Sequence, residues 1–143
     1  MLKNRNYIIS GSSKGIGLSI AEEILKNSGN VLLTGRNRKQ LIRTKNKLKK
    51  IYRNSTILYC QGDVGNKKTL NMIHSIFKKN KWKKLNGIIA NSGSTKPNTN
   101  LFNEKDFHWF LKNNFLNSYN FINFFIKKFS HTLDSIVFIS SIA

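Results

Sequence analysis

The chain has 143 residues, 39% of them hydrophobic and ten of them Phe, which suits one folded domain with a real core and excludes wholesale disorder. One Pro and one Cys, Cys60, exclude a disulfide scaffold and a cysteine-built zinc site. The formal charge of +19 comes from 25 Lys and Arg against 6 Asp and Glu; the bases are spread along the chain, with one dense run over 36–53, and read as compositional bias rather than a nucleic-acid interface.

From the start, Met1 leads within a few residues to a short apolar strand over 7–10, far too short for the apolar core of a secretion signal. Glycines follow it, then a helix over about 16–27 that ends at the turn Ser28-Gly29-Asn30. A second strand over 31–34 precedes a basic helix over 39–52. A third strand over 56–60 ends at Cys60, which reads as a buried strand residue. The helix over 67–79 carries apolar Leu70, Ile73, Ile76 and Phe77 at helical spacing. A strand over 87–90, a long helix over 104–129 and a strand over 135–140 complete the chain.

Strands alternating with helices predict an α/β fold, a Rossmann-type doubly wound parallel sheet in a three-layer α/β/α arrangement, ending after its fifth strand. The whole of 1–143 is expected to form one nucleotide-binding domain, incomplete at its carboxyl end. The most apolar stretch, 115–129, is interrupted by Asn117, Asn120 and Asn123 and is not expected to span a bilayer. A soluble, cytoplasmic protein is the expectation.

The polar clusters fall at the carboxyl ends of the strands, the edge at which open α/β sheets bind ligands. The first is Ser10-Gly11-Ser12-Ser13-Lys14-Gly15-Ile16-Gly17. Glycines between a strand and a helix allow the tight turn, the approach of backbone to pyrophosphate, and close packing of helix on sheet. Free amides at the helix start, helped by the helix dipole, then meet phosphate. Gly11, Ser13, Lys14, Gly15, Ile16 and Gly17 are therefore the candidate cradle.

The spacing is G-x-x-x-G-x-G, and with the polar residue before it this resembles the glycine motif of the short-chain dehydrogenase/reductase family. Four further segments match that family in order: Asp63-Val64, Ala90-Asn91-Ser92-Gly93, Asn114, and Ser140-Ser141. Ala90 and Ser92 depart from the family's Asn-Asn-Ala-Gly pattern; Asn91 and Gly93 keep it. The resemblance implies adenine contacts at Asp63 and Val64 and cofactor contacts at Asn91 and Gly93. It implies that Asn114 holds a water in a proton relay and that Ser141 hydrogen-bonds the substrate oxygen. The family's Tyr-x-x-x-Lys pair is absent from the 143 residues: Tyr7, Tyr52, Tyr59 and Tyr119 are followed four places on by Gly11, Thr56, Asp63 and Asn123. The resemblance thus reads the chain as an amino-terminal fragment, inactive alone.

No acid occurs between Glu23 and Asp63, so the ribose-binding carboxylate of an NAD site is missing after the second strand, and Arg36 stands there instead. A guanidinium pairs with a 2′-phosphate in bidentate fashion, and Lys14 adds a second cation, which favours NADP (NADPH) over NAD. The expected function is NADP-dependent hydride transfer to or from a small-molecule carbonyl or alcohol. The long helix is apolar on nearly all sides and needs cover; the resemblance implies pairing of this helix across the interface of a full-length homo-oligomer, and the competing explanation is cover by the missing carboxyl-terminal portion. The alternatives are a non-catalytic dinucleotide-binding module and, less favoured, a nucleic-acid-binding surface over 36–53.

Overall fold

Side chains alternate across a β-strand, so a strand buried on both faces divides its residues between two cores. In the computed structural model, which describes residues 1–95 and 103–140, this alternation holds in the first four of the five strands. The strands are β1 (Asn6–Ile9), β2 (Asn30–Gly35), β3 (Ile57–Gln61), β4 (Gly87–Ala90) and β5 (Ser135–Phe138). Tyr7, Ile9, Val31, Leu33, Ile57 and Ile89 enter one core; Ile8, Leu32, Cys60, Ile88 and Ala90 enter the other.

Helices α1 (Gly15–Lys26) and α2 (Arg38–Ile51) cover the first face through Ala21, Ile24, Leu25, Leu41 and Leu48. Helices α3 (Lys67–Lys79) and α5 (Asn117–Phe129) cover the second through Leu70, Ile73, Phe77, Phe121, Phe125 and Phe129. The three-layer α/β/α arrangement expected from the sequence is thus present, as is the parallel sheet. All strand pairs are parallel, in the order β3-β2-β1-β4-β5. The chain winds outward from β1 to β3, then returns to the other side of β1 with β4. The reversal opens a crevice at the carboxyl ends of β1 and β4, the position at which doubly wound sheets take ligands.

Two expected elements differ in detail. The strand expected over 135–140 pairs only over Ser135–Phe138, in register with β4. The long helix is not continuous: α4 (Glu104–Leu111) passes through a π-helical turn, Lys112–Leu116, before α5. Here Asn113 and Asn114 turn their side-chain amides back onto the carbonyls of Trp109 and Phe110, at 2.8 and 3.1 Å. Such back-bonding competes with the backbone ladder and accompanies the wider turn.

Asn37, Asn66 and Asn103 cap α2, α3 and α4 by accepting from first-turn amides. No side chain caps α1. At the opposite end of the sheet, Arg5 pairs with Asp134 at 3.0 Å, and Asn86 donates to the same carboxylate oxygen at 2.9 Å. All four residues of β5 are exposed; Ile136, Val137 and Phe138 among them, and Phe107, Leu111, Phe115 and Tyr119 on the helical segment, are exposed apolar side chains, with the Phe115 and Phe138 rings 5.9 Å apart. No helix among the described residues is long and apolar enough to cross a membrane.

Phe125 is fully buried, with ring centroids of Phe77, Phe121, Phe124 and Phe129 between 5.0 and 6.4 Å away. Phe125→Ala is expected to cost about 3–5 kcal/mol in urea unfolding, because the neighbouring rings cannot close the cavity. A loss under about 1 kcal/mol would mean that this core is not packed as described.

Candidate functional site

The loop after β1 is bonded to the strands on both sides of it. Toward β2, the Ser12 hydroxyl donates to the Ile9 carbonyl and accepts from the Thr34 amide, both at 2.9 Å. The Ser12 amide donates to the Thr34 carbonyl at 2.9 Å. The Thr34 hydroxyl donates to the Ile9 carbonyl at 3.2 Å and accepts from the Gly11 amide at 3.3 Å. Toward β4, the Ser10 hydroxyl accepts from the amides of Asn91 and Ser92 at 2.9 and 2.8 Å. The Asn91 side chain donates to the carbonyls of Ser10 and Gly11 at 3.2 and 3.1 Å. The Ser13 carbonyl is taken by the Thr44 hydroxyl at 2.9 Å.

The carbonyls of Ser10, Gly11 and Ser13 and the buried hydroxyls are thus satisfied by the protein. What remains is the uncapped start of α1, which carries the positive end of a helix dipole. Gly11 and Gly15 adopt φ of +62° and +60°, a backbone region costly for other residues. At Gly17 the constraint is space: a Cβ there would lie 2.5 Å from the Gly11 carbonyl oxygen and 2.7 Å from the Asn91 side-chain nitrogen. Only hydrogen fits between helix and loop.

A cavity of about 480 Å³ opens over this loop. Of the candidates from the sequence, Gly11, Ser13, Lys14, Gly15, Arg36, Asp63, Val64, Asn91 and Gly93 all line it. Ile16 and Gly17 sit in the first turn of α1 beside it, Ile16 exposed and Gly17 buried. Lys14 and Arg36 are the cations of the lining and Asp63 its acid, so the fixed charge favours an anion. One Asp63 oxygen accepts from the Gly65 amide at 2.8 Å, shaping the turn into α3.

Asn114 lies behind the lining rather than in it. Its side-chain oxygen accepts from the Ser94 amide at 2.9 Å, and its nitrogen donates to the Ser94 carbonyl at 3.0 Å as well as to Phe110. Gly93 leaves room for this, since a Cβ there would stand 2.8 Å from the Asn114 oxygen. Ser141 lies outside the described residues.

Several lining residues were not among the sequence candidates. Asn113 and Asn117, four apart and therefore on one helix face, reach the cavity from the π-turn and α5, and Ser94 follows the third motif directly. The i, i+4 spacing of the two Asn was a usable signal, whereas the position of Ser94 depends on Asn114 and is not encoded nearby. Arg36 donates from Nη2 to the Ser94 hydroxyl at 3.3 Å, and its carbonyl accepts from Gln61 at 3.3 Å. Cys60 takes no part: it is buried in β3, and burial pushes its thiol up to about 11, away from the thiolate needed for nucleophilic chemistry.

The fold has counterparts among solved structures. A putative short chain dehydrogenase from Pseudomonas syringae superimposes with a TM-score of 0.83 at 21% identity, over 98% of this chain and 58% of its own. L-sorbose reductase from Gluconobacter frateurii, solved with NADPH and L-sorbose, gives 0.77 at 18% identity, over 89% and 48%. An NAD+-bound xylitol dehydrogenase gives 0.77 at 15% identity, over 89% and 48%. At these identities the likeness is one of fold, and the chain spans about half the length of the structures it matches. No curated protein sequence matches the chain. The family model for short chain dehydrogenases matches residues 5–143, nearly the entire chain. The chain belongs to the short-chain dehydrogenase family.

Proposed function

We propose that this chain supplies the NADP(H)-binding part of an oxidoreductase that moves hydride between the cofactor and a small-molecule carbonyl or alcohol. The observation that carries this reading is the convergence, in one crevice, of the uncapped start of α1 with Lys14 and Arg36. In this reading the amides of Ser13 to Gly17 take the pyrophosphate, and the glycine backbone lets it approach. Asp63 and Val64 border the adenine, and Asn91 and Gly93 back the ribose side of the crevice.

Both nicotinamide cofactors occur among the structural neighbours, NADPH in the sorbose reductase and NAD+ in the xylitol dehydrogenase. The preference for NADP therefore rests on this chain's own residues. No carboxylate stands at the end of β2 to hold two ribose hydroxyls, and Arg36, with Lys14 nearby, offers a bidentate partner for a 2′-phosphate.

Bound in the crevice, the cofactor would supply or accept the hydride, and the chain's residues would hold it and shape the field around it. The neighbours named for L-sorbose and xylitol support a small carbonyl or alcohol as the substrate class. Ser141 is the residue assigned to the substrate oxygen. The relay role assigned to Asn114 would fall to its main-chain carbonyl, because both ends of its side-chain amide are spent on Ser94 and Phe110. The apolar surface of Phe107, Leu111, Phe115 and Tyr119 supports contact with a second copy.

Arg36→Asp is expected to weaken NADPH binding about ten- to a hundredfold while leaving NADH equal or tighter, as read by fluorescence titration. An unchanged preference would remove Arg36 from the cofactor choice. Gly17→Ala is expected to weaken both dinucleotides at least about tenfold, with far-UV circular dichroism retained, since the new methyl group displaces the Gly11 carbonyl. Wild-type affinity in that variant would contradict the assignment of the loop as the phosphate cradle.

A further inference from the structure

We propose that Arg36 and Ser94 form a latch across the dinucleotide crevice, which either cofactor must open to bind; this rests on the dinucleotide reading above. The two residues follow β2 and β4, which flank β1 in the sheet, and both line the cavity. Their 3.3 Å hydrogen bond therefore passes over the carboxyl end of β1, joining the two walls of the crevice.

The latch has fixed posts. Asn114 grips the Ser94 backbone from both sides, at 2.9 Å on its amide and 3.0 Å on its carbonyl, and is itself held to Phe110. The Ser94 hydroxyl is thus presented from a braced segment. Gln61 holds the Arg36 carbonyl, leaving the exposed arginine side chain as the moving part. Opening needs only rotamer changes.

The chemistry sets the direction of exchange. A guanidinium on a neutral hydroxyl makes one long hydrogen bond, whereas a phosphate offers two short, charge-assisted ones. NADPH can draw Arg36 off Ser94 and give it a stronger partner. NADH must open the same bridge and offers the guanidinium no such replacement. Ser94 is accordingly a positioning residue that acts through Arg36 and lowers the affinity for a dinucleotide without a 2′-phosphate.

The test is a double-mutant cycle read by NADH affinity in the purified protein, NADH being the probe because it lacks the group that rewards Arg36. Ser94→Ala is expected to tighten NADH about threefold, the size of one long hydrogen bond screened by solvent. In an Arg36→Ala background the same Ser94→Ala change is expected to have no effect, and Ser94→Thr, which keeps the hydroxyl, is expected to match the wild type. An equal Ser94→Ala effect with and without Arg36 would mean that Ser94 acts on the cofactor directly, which overturns the latch and leaves the dinucleotide site standing. No change in NADH affinity on Ser94→Ala alone also overturns the latch. Binding of neither NADH nor NADPH by the wild type would overturn the dinucleotide reading and the latch with it.

Discussion

The hydrogen bonds that hold the loop after β1 between β2 and β4 are the constraint on which the rest of the site depends. Ser10, Ser12 and Thr34 have no exposed surface, so each hydroxyl needs partners within the protein. They find them in the backbones of Ile9, Gly11, Thr34, Asn91 and Ser92. Each such bond contributes only about 1 kcal/mol net, but an unpaired buried hydroxyl costs more, so the set acts together. The carbonyls of Ser10, Gly11 and Ser13 are spent inward, while the start of α1 keeps its amides uncapped by any side chain. The loop cannot rearrange without breaking bonds to two strands, which makes it a preorganised loop rather than a flexible turn.

The sheet supplies the same constraint at a larger scale. Since β4 returns to the far side of β1, the segments after β1, β2 and β4 converge at one edge, where Gly11, Arg36 and Gly93 line one cavity. Charge then divides into a general and a local part. The net +19 raises the encounter rate with any polyanion, but exposed charges beyond about 8 Å are screened at physiological ionic strength. In the proposed function selectivity would depend on Lys14 and Arg36, which border the cavity itself, and the dense bases of α2 would remain a solvated face.

Much of this was legible in the sequence, for identifiable reasons. The helix over 67–79 and the strand over 87–90 appear with the expected bounds, because Leu70, Ile73 and Phe77 repeat at helical spacing and Gly87 to Ala90 form a short apolar run between polar flanks. The glycine loop was legible because its chemistry is local: two positive-φ turns and one close packing contact need glycine. The π-turn was not legible, since residues 112–116 carry the same helical propensities whichever hydrogen-bond ladder they join. Nor was the placement of Asn114, whose amide meets Ser94 twenty residues earlier in the chain. The bridge from Arg36 to Ser94 spans 58 positions and exists only once the sheet has brought β2 and β4 to either side of β1.

The central claim is that the loop after β1, rather than the basic surface at large, takes the anion. Amide chemical-shift mapping during NADPH titration tests it most directly, because every residue from Gly11 to Gly17 carries a backbone N–H. The account predicts saturable shifts concentrated at Ser13 to Gly17, Arg36 and Gly93 to Ser94. Shifts confined to Arg38–Ile51 and abolished by moderate salt, with the glycine loop unmoved, would contradict it.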